Sequence, residues 1–413
     1  MQLITRVRLR YKFVCADCFK DYAIRDFIRS KAIHSICTYC GRQDTKPISA
    51  CMSAVIDFLL DGFCYDWVPN TPERVWEAEN FGWHGGYGID SETESKYLVN
   101  SLLPDIYEMK DELLEDILSS MYALWRPRMQ YDPEPEDFFS FRWDEFATAV
   151  KYQTRYVYYR VNTGWQKDVQ RRKKDSRLRT RTFDATEEVL DNISAVNNIR
   201  VVYPETQMWR ARVHDLAEYP NTAKELGVPP YDKALLSTRM SAAGIPVFYC
   251  ALDRETALVE TRETEGSPGV SKAMTIGLWK PLKTLRVLDL VEMPPKPSIF
   301  DAKRRRLREV VSFLTSFSEE ISHPIQKDGH EHIEYVPTQV FTEYIRHVYK
   351  DHDGMALDGI LYKSAVNEGG TNCVLFLENE ECCGYLESTD FEVGDTKHKI
   401  GLVACNRIEP QEV

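Results

Sequence analysis

The sequence predicts an α+β protein: a small four-cysteine module, then a helical bundle, then a domain of mixed α/β structure. Three observations carry this. Two C-x-x-C pairs, Cys15/Cys18 and Cys37/Cys40, stand near the N-terminus. Apolar residues recur at helical spacing between about 48 and 200. Beyond Met208, short β-rich runs return without regular alternation with helices, which favours a largely antiparallel sheet. The expected domains are 1–47, 48–200 and 201–413.

The length of 413 residues fits two or three domains, at about 150 residues each. A hydrophobic content of 43% supports real cores, and a formal charge of −12 argues against a general nucleic-acid binder while leaving room for a local basic groove. No long apolar run follows Met1, and no stretch reaches the ~18 apolar residues that span a bilayer. The most apolar window, Ala50 to Leu60, is interrupted by Asp57 and closed by Asp61. Eleven cysteines in a chain without an export signal read as thiols and metal ligands rather than disulfides. A soluble, cytoplasmic protein with no membrane partner is expected.

The two cysteine pairs are separated by residues 19–36, the spacing of a structural four-cysteine zinc site. Each C-x-x-C turn aims two thiolates at a tetrahedral metal, and a module this short cannot build enough core without one. Cys15, Cys18, Cys37 and Cys40 are therefore the expected zinc ligands. Four thiolates leave no open position for water, so the zinc is structural. Cys51, Cys64, Cys382 and Cys383 lack such spacing and read as unliganded thiols. Arg29 and His34 form an R-x-x-x-x-H string, the mark of HEPN-type ribonucleases, but it falls between the cysteine pairs and reads as coincidence.

Helical spacing begins with Met52, Val55, Ile56, Leu59 and Leu60 in the segment 48–63. A second helix over 105–121 carries Ile106, Met109, Leu113, Leu114, Ile117 and Leu118. Between them, 67–88 reads as a loop bearing Trp76, Trp83 and His84. The segment 136–159 is aromatic-rich, and Asp184-x-x-Glu187 opens a further helix at 185–196. The basic run at 170–181 and Lys303 to Arg308 read as solvated charged faces.

Strands are expected at 209–213, 247–251, 274–278, 284–290, 360–363, 373–377 and 399–404, with helices at 254–263, 300–321 and 336–350. Asp253 is the expected N-cap of the first of these helices, which puts Ala257 and Glu260 on one face. A strand ending near Tyr249, followed by two helical turns ending in Glu260, can present a ring and a carboxylate to one cleft. His330-x-His332-x-Glu334 has the alternation of a strand metal site, but its position after Gly329 and before a helix makes it a surface loop.

The run from Arg239 to Glu260, R-M-x-x-A-G-I-P-V-F-Y-x-A-x-D-x-E-T-A-L-x-E, resembles the central motif of the RES domain family, named for its Arg, Glu and Ser. Trp209 to Arg212 resembles the family's opening strand, Tyr335 to Gln339 with Glu343 its late helix, and Asp358 to Ser364, Asn372 and Val374 to Phe376 its closing strands. The likeness spans roughly 205–410. It implies an ADP-ribosyltransferase-like fold and an enzyme that consumes NAD by cleaving its nicotinamide–ribose bond. The helical region resembles, by its order in the chain, the HEPN-type N-terminal domains attached to some RES proteins.

That bond needs little acid catalysis, because nicotinamide leaves neutral from a cationic ring. The difficulty is oxocarbenium-like charge on the ribose, which a nearby carboxylate stabilises. Guanidinium forks suit the pyrophosphate, and an aromatic face suits the pyridinium. The resemblance assigns Glu260 as the essential carboxylate and places Arg210, Arg239 and Tyr249 against NAD. Ser364 would hydrogen-bond the nicotinamide or its ribose rather than act as nucleophile, there being no histidine base for it. Arg212 shares a strand face with Arg210, and the sequence does not say which is primary.

The reading is an NAD glycohydrolase, phosphorylase or ADP-ribosyltransferase, a toxin or effector of bacterial toxin–antitoxin or defence biology, passing ADP-ribose to water, phosphate or a protein. An antitoxin or other inhibitory partner and self-association are compatible with it. The alternative is a HEPN-like ribonuclease or nucleic-acid-binding protein with the RES half accessory.

Overall fold

The computed structural model describes residues 9–69, 93–109, 111–121, 124–127, 138–153, 155, 196, 198–265, 272–323, 329–351, 353–385 and 397–409. The tryptophan-bearing loop beyond residue 69, the basic run 170–181 and all but the last residue of the expected helix 185–196 lie outside the described residues. The architecture is α+β, as expected, and divides into two compact units: Met1–Phe138 with Lys296–Glu309, and Phe139–Pro295 with Val310–Val413.

In the first unit, β1 (Phe13–Cys15) pairs antiparallel with β2 (Ser49–Cys51), Phe13 opposite Cys51. A 3-10 turn over Ala16–Cys18 and α1 (Tyr22–Ser30) follow β1. Asp21 caps α1 by accepting the N–H groups of Ala23 and Ile24. β2 leads directly into α2 (Met52–Asp66), which buries Met52, Val55, Ile56, Leu59 and Phe63 on one side. A small sheet has the order β3 (Trp67–Pro69), β5 (Leu124–Pro127), β4 (Thr93–Glu94).

Next to it stand α3 (Ser95–Leu102), α4 (Pro104–Met109) and α5 (Glu112–Ser120). The single helix expected over 105–121 is thus two. Asp111 sits in extended backbone and accepts the N–H groups of Leu113 and Leu114, so its carboxylate starts a new helix. Lys12 is buried between Glu112 and Asp116, and Tyr39 donates to Asp116 at 2.8 Å. These bonds bind the cysteine module to α5, and both share one hydrophobic core.

That core includes Ile299 and Phe300, far along the chain. Phe300 meets Phe63 edge-on at 5.5 Å, over Gly62. A Cβ on Gly62 would lie 2.2 Å from the Phe300 ring, so only glycine permits this seat. Around it Tyr22 donates to Asp301 (2.9 Å), Arg304 pairs with Asp301, and Arg305 pairs with Asp61 and lies over the Tyr65 ring. The charged run at 303–308, expected as a helix face, is helical from Arg305 onward, but Arg304 and Arg305 are engaged by side chains of the first unit.

The second unit holds α6 (Phe138–Tyr152) apart from its first residue. Its sheet is built from β6 (Ile199–Val202), β7 (Met208–Asp215), β8 (Phe248–Ala251), β9 (Lys272–Pro281), β10 (Leu285–Asp289), β11 (Gly359–Lys363), β12 (Thr371–Leu375), β13 (Cys382–Gly384) and β14 (Ile400–Ile408). The order is β13-β14-β9-β7-β8-β12-β11-β10-β6. Only β10–β11 and β13–β14 pair in parallel, so the sheet is largely antiparallel as expected. β7 and β8 share one residue pair, Trp209 opposite Ala251.

Alternation gives the sheet two distinct faces. Met208, Phe248, Cys250, Cys373 and Leu375 pack on one, with α7 (Ala223–Leu226). Trp209, Ala211, Val213 and Ala251 pack on the other, beneath Ala257 and Leu258 of α8 (Arg254–Glu265). α9 (Arg308–Ser322) from Val310 onward, α10 (Glu331–Glu334) and α11 (Val336–His347) complete the unit. Phe317 of α9 lies 4.2 Å from the Phe341 ring of α11, and Trp143 of α6 lies 5.0 Å from Phe317.

Candidate functional site

In the first unit the four expected ligands converge. The sulfurs of Cys15, Cys18, Cys37 and Cys40 all lie within 4.8 Å of one another, and form the metal-capable cluster among the described residues. Cys15–Cys18, Cys15–Cys40 and Cys18–Cys37 are 3.7, 3.5 and 3.7 Å apart. A tetrahedron with metal–sulfur bonds of about 2.3 Å has edges near 3.8 Å, so the four sulfurs fit one thiolate-bound ion. Gly41, at φ 71°, closes the second turn and sends its N–H to the carbonyl of Cys37.

Arg29 and His34 make separate local contacts within this module. Arg29 pairs with Asp26 on α1, and the His34 imidazole stacks on Phe13 at 4.4 Å. His332 and Glu334 fall on the single helical turn of α10 rather than in a loop, His330 stands just before it as the N-cap residue, and Glu334 pairs with Lys151.

In the second unit a carboxylate stands at the centre. Asp253 caps α8, accepting from the Thr256 N–H at 2.8 Å and its hydroxyl at 2.6 Å. Two turns on, α8 delivers Glu260 over the sheet face that carries Ala251. The Ser364 hydroxyl donates to Glu260 Oε1 at 2.7 Å, and the Asn372 amide donates to the same oxygen at 2.5 Å. Ser364 follows β11 directly, and its Oγ accepts the N–H groups of Asn367 (3.0 Å) and Val366 (3.3 Å). With those lone pairs occupied, its one proton is directed at Glu260.

Register explains why these groups meet. Asn372 lies opposite Tyr362 on β11 and Ala251 on β8, and Ala251 lies opposite Trp209 on β7. Tyr362, Asn372, Ala251 and Trp209 thus form one row across the face. Burial drives the Tyr362 phenol well above its ordinary value, with Tyr249 and Glu260 adding to the rise and Arg239 opposing it. Tyr249, Glu260 and Arg239 thus all lie within electrostatic reach of Tyr362.

Tyr249 is also held as a neutral phenol, pushed up to about 12 by burial. Its hydroxyl shares a hydrogen bond with Thr238 (2.8 Å) and accepts the N–H of Met240 (3.0 Å). It thereby clamps the turn that carries Arg239. Thr338 and Gln339 of α11 hold the same turn: Thr338 donates to the Arg239 carbonyl, and Gln339 donates to Ser237 and Thr238. Arg239 itself donates to the last carbonyls of α9, Ile321 at 2.5 Å and Glu320 at 3.3 Å, and to His323 at 2.7 Å.

The structure thus brings Glu260, Ser364, Tyr249 and Arg239 to one side of the sheet. Arg210 and Arg212 alternate to the other. The Arg210 guanidinium lies 5.1 Å from the Phe248 ring centre and donates to the Tyr249 carbonyl at 2.7 Å, beside the single-pair junction of β7 and β8. Arg212 donates to the carbonyl of Glu225. Asn372 and Tyr362 join the site without having been singled out for it. The alternation of β11 and β12 fixes which of their residues share a face, but only the β8–β12–β11 pairing reveals that this face is the one beneath Glu260.

Comparison with known protein families returns two matches. Residues 207–390 match the RES domain, and residues 30–164 match HEPN/RES N-terminal domain 1. No curated protein and no solved structure matches the chain. The carboxylate site falls wholly within the first match, and two of the four cysteines, Cys37 and Cys40, fall within the second; with both matches in their expected order, the chain carries a RES domain preceded by a HEPN/RES N-terminal domain.

Proposed function

We propose that the protein cleaves the nicotinamide–ribose bond of NAD and passes ADP-ribose to water, phosphate or a protein side chain. The observation that carries this reading is Glu260, with Ser364 and Asn372 both donating to its Oε1. A carboxylate oriented in this way suits a transition state in which the ribose gains positive charge. The bond from C1′ to the ring nitrogen breaks, and its electron pair leaves with neutral nicotinamide. The acceptor oxygen then bonds C1′ and gives up its proton. The RES match supports NAD-utilising chemistry in general.

Tyr249 and Tyr362 offer aromatic surface for the nicotinamide end. Arg239 is the candidate for the pyrophosphate, while Arg210 lies on the opposite face of the sheet, against Phe248. The zinc at the four cysteines is structural in this reading. The biological setting proposed is that of a toxin or effector under restraint.

The test is to incubate purified protein with NAD and, separately, with RNA. Nicotinamide release supports the reading. Intact NAD beside cleaved RNA contradicts it and favours the ribonuclease alternative.

A further inference from the structure

We propose that Asn372 is a positioning residue for Glu260, fixing the carboxylate jointly with Ser364 so that it meets the ribose in one orientation. This rests on the NAD-cleaving reading above.

Asn372 is 5% exposed and is the second residue of β12, flanked by Tyr362 and Ala251 on the neighbouring strands. Its amide donates to Glu260 Oε1 at 2.5 Å, the oxygen that Ser364 also bonds. A charge-assisted bond of this kind is stronger than a neutral one, and two donors converging on one oxygen fix the plane of the carboxylate as well as its place.

Docking of α8 does not depend on these two bonds. Asn367 donates to Thr256 Oγ1 at 2.7 Å, and Thr256 donates to Asp253. A Cβ on Gly370 would lie 2.3 Å from Thr256 Oγ1, so the segment joining β11 and β12 already touches the start of the helix. Ala257 and Leu258 are buried beneath it. With the helix anchored by other contacts, the Asn372 amide acts on the carboxylate.

The experiment compares Asn372→Asp and Asn372→Ala in the full chain, by steady-state NAD turnover and thermal unfolding. Asp has the shape of Asn but sets an acceptor against Glu260. The expected order is therefore the reverse of a packing series. Asn372→Ala lowers kcat about tenfold and Asn372→Asp about a hundredfold or more, while KM moves less than about threefold. Ser364→Ala combined with Asn372→Ala falls by less than the product of the single losses, because both donors serve one oxygen. An Asp variant as active as the parent, or one less impaired than Ala, overturns the proposal.

Should Asn372→Asp fail to fold, Asn372→Thr against Asn372→Val asks the same question with a matched pair. Thr faster than Val supports the role, and equal rates overturn it. Glu260→Gln run alongside separates the two levels of the argument. If that variant turns over NAD at the parent rate, or the parent consumes no NAD, the NAD reading falls and takes this proposal with it. If Glu260→Gln collapses while Asn372→Asp does not, only the role of Asn372 falls.

Discussion

Arg239→Ala should destabilise the second unit before any substrate is added. The last carbonyls of a helix have no intrahelical partners, and a cation placed there serves both them and the helix dipole. Arg239 supplies that cation to α9, with bonds to Ile321, Glu320 and His323. A hydrogen bond to a charged group contributes about 1.5–3 kcal/mol when shielded and much less when exposed. Of the three, the bond to Ile321 lies in partly buried surroundings and the others are exposed, so the loss should be about 2–3 kcal/mol. For a unit of this size that is a fall in Tm of about 4–12 °C. Arg239→Lys, which keeps the charge but not the fork, should lose roughly half as much. Thermal unfolding without NAD makes the measurement. An Ala variant that melts within about 1 °C of the parent would refute the capping argument, and its KM for NAD separately reads the pyrophosphate role proposed for the same guanidinium.

Two further outcomes concern the first unit. The reduced protein should carry about one equivalent of zinc, and a chelator or Cys37→Ser should unfold this unit first; metal analysis finding none in freshly purified protein would remove the assignment. Phe300→Ala should cost about 3–5 kcal/mol in urea unfolding, and Gly62→Ala should be destabilising through the same ring; unchanged midpoints would mean that the 296–309 arm does not hold this unit together in solution.

Much of the site was legible because its signals are local. Asp253 before an Ala/Leu/Glu run marks a helix start, and counting from it places Glu260 two turns on, beside Ala257. The cysteine spacing likewise contains its own geometry. What escaped depends on partners far along the chain. Asn372 is 112 residues from Glu260, and its role exists only once β12 has paired with β8 and β11. The sheet alternation that sends Arg210 away from Glu260 was readable within β7, but the face on which α8 would settle was not. The arm at 296–309 misled for a related reason. Lys303 to Arg308 has the composition of a helix face, while Phe300, Arg304 and Arg305 are spent on Phe63, Tyr22, Asp61 and Tyr65, which no periodicity can point to. Short strands such as β6 and β13 carry too few residues for a pattern and form by joining a sheet already there.

Glu260→Gln tests the central claim most directly. The substitution keeps the size of the side chain and removes the charge that, in the proposed reaction, faces the growing oxocarbenium. NAD turnover should fall by about two to four orders of magnitude, or about 3–5 kcal/mol of barrier, with a much smaller change in apparent NAD affinity. Steady-state kinetics, with folding checked by circular dichroism, reads both quantities. A well-folded Glu260→Gln protein that consumes NAD at the parent rate would contradict the account.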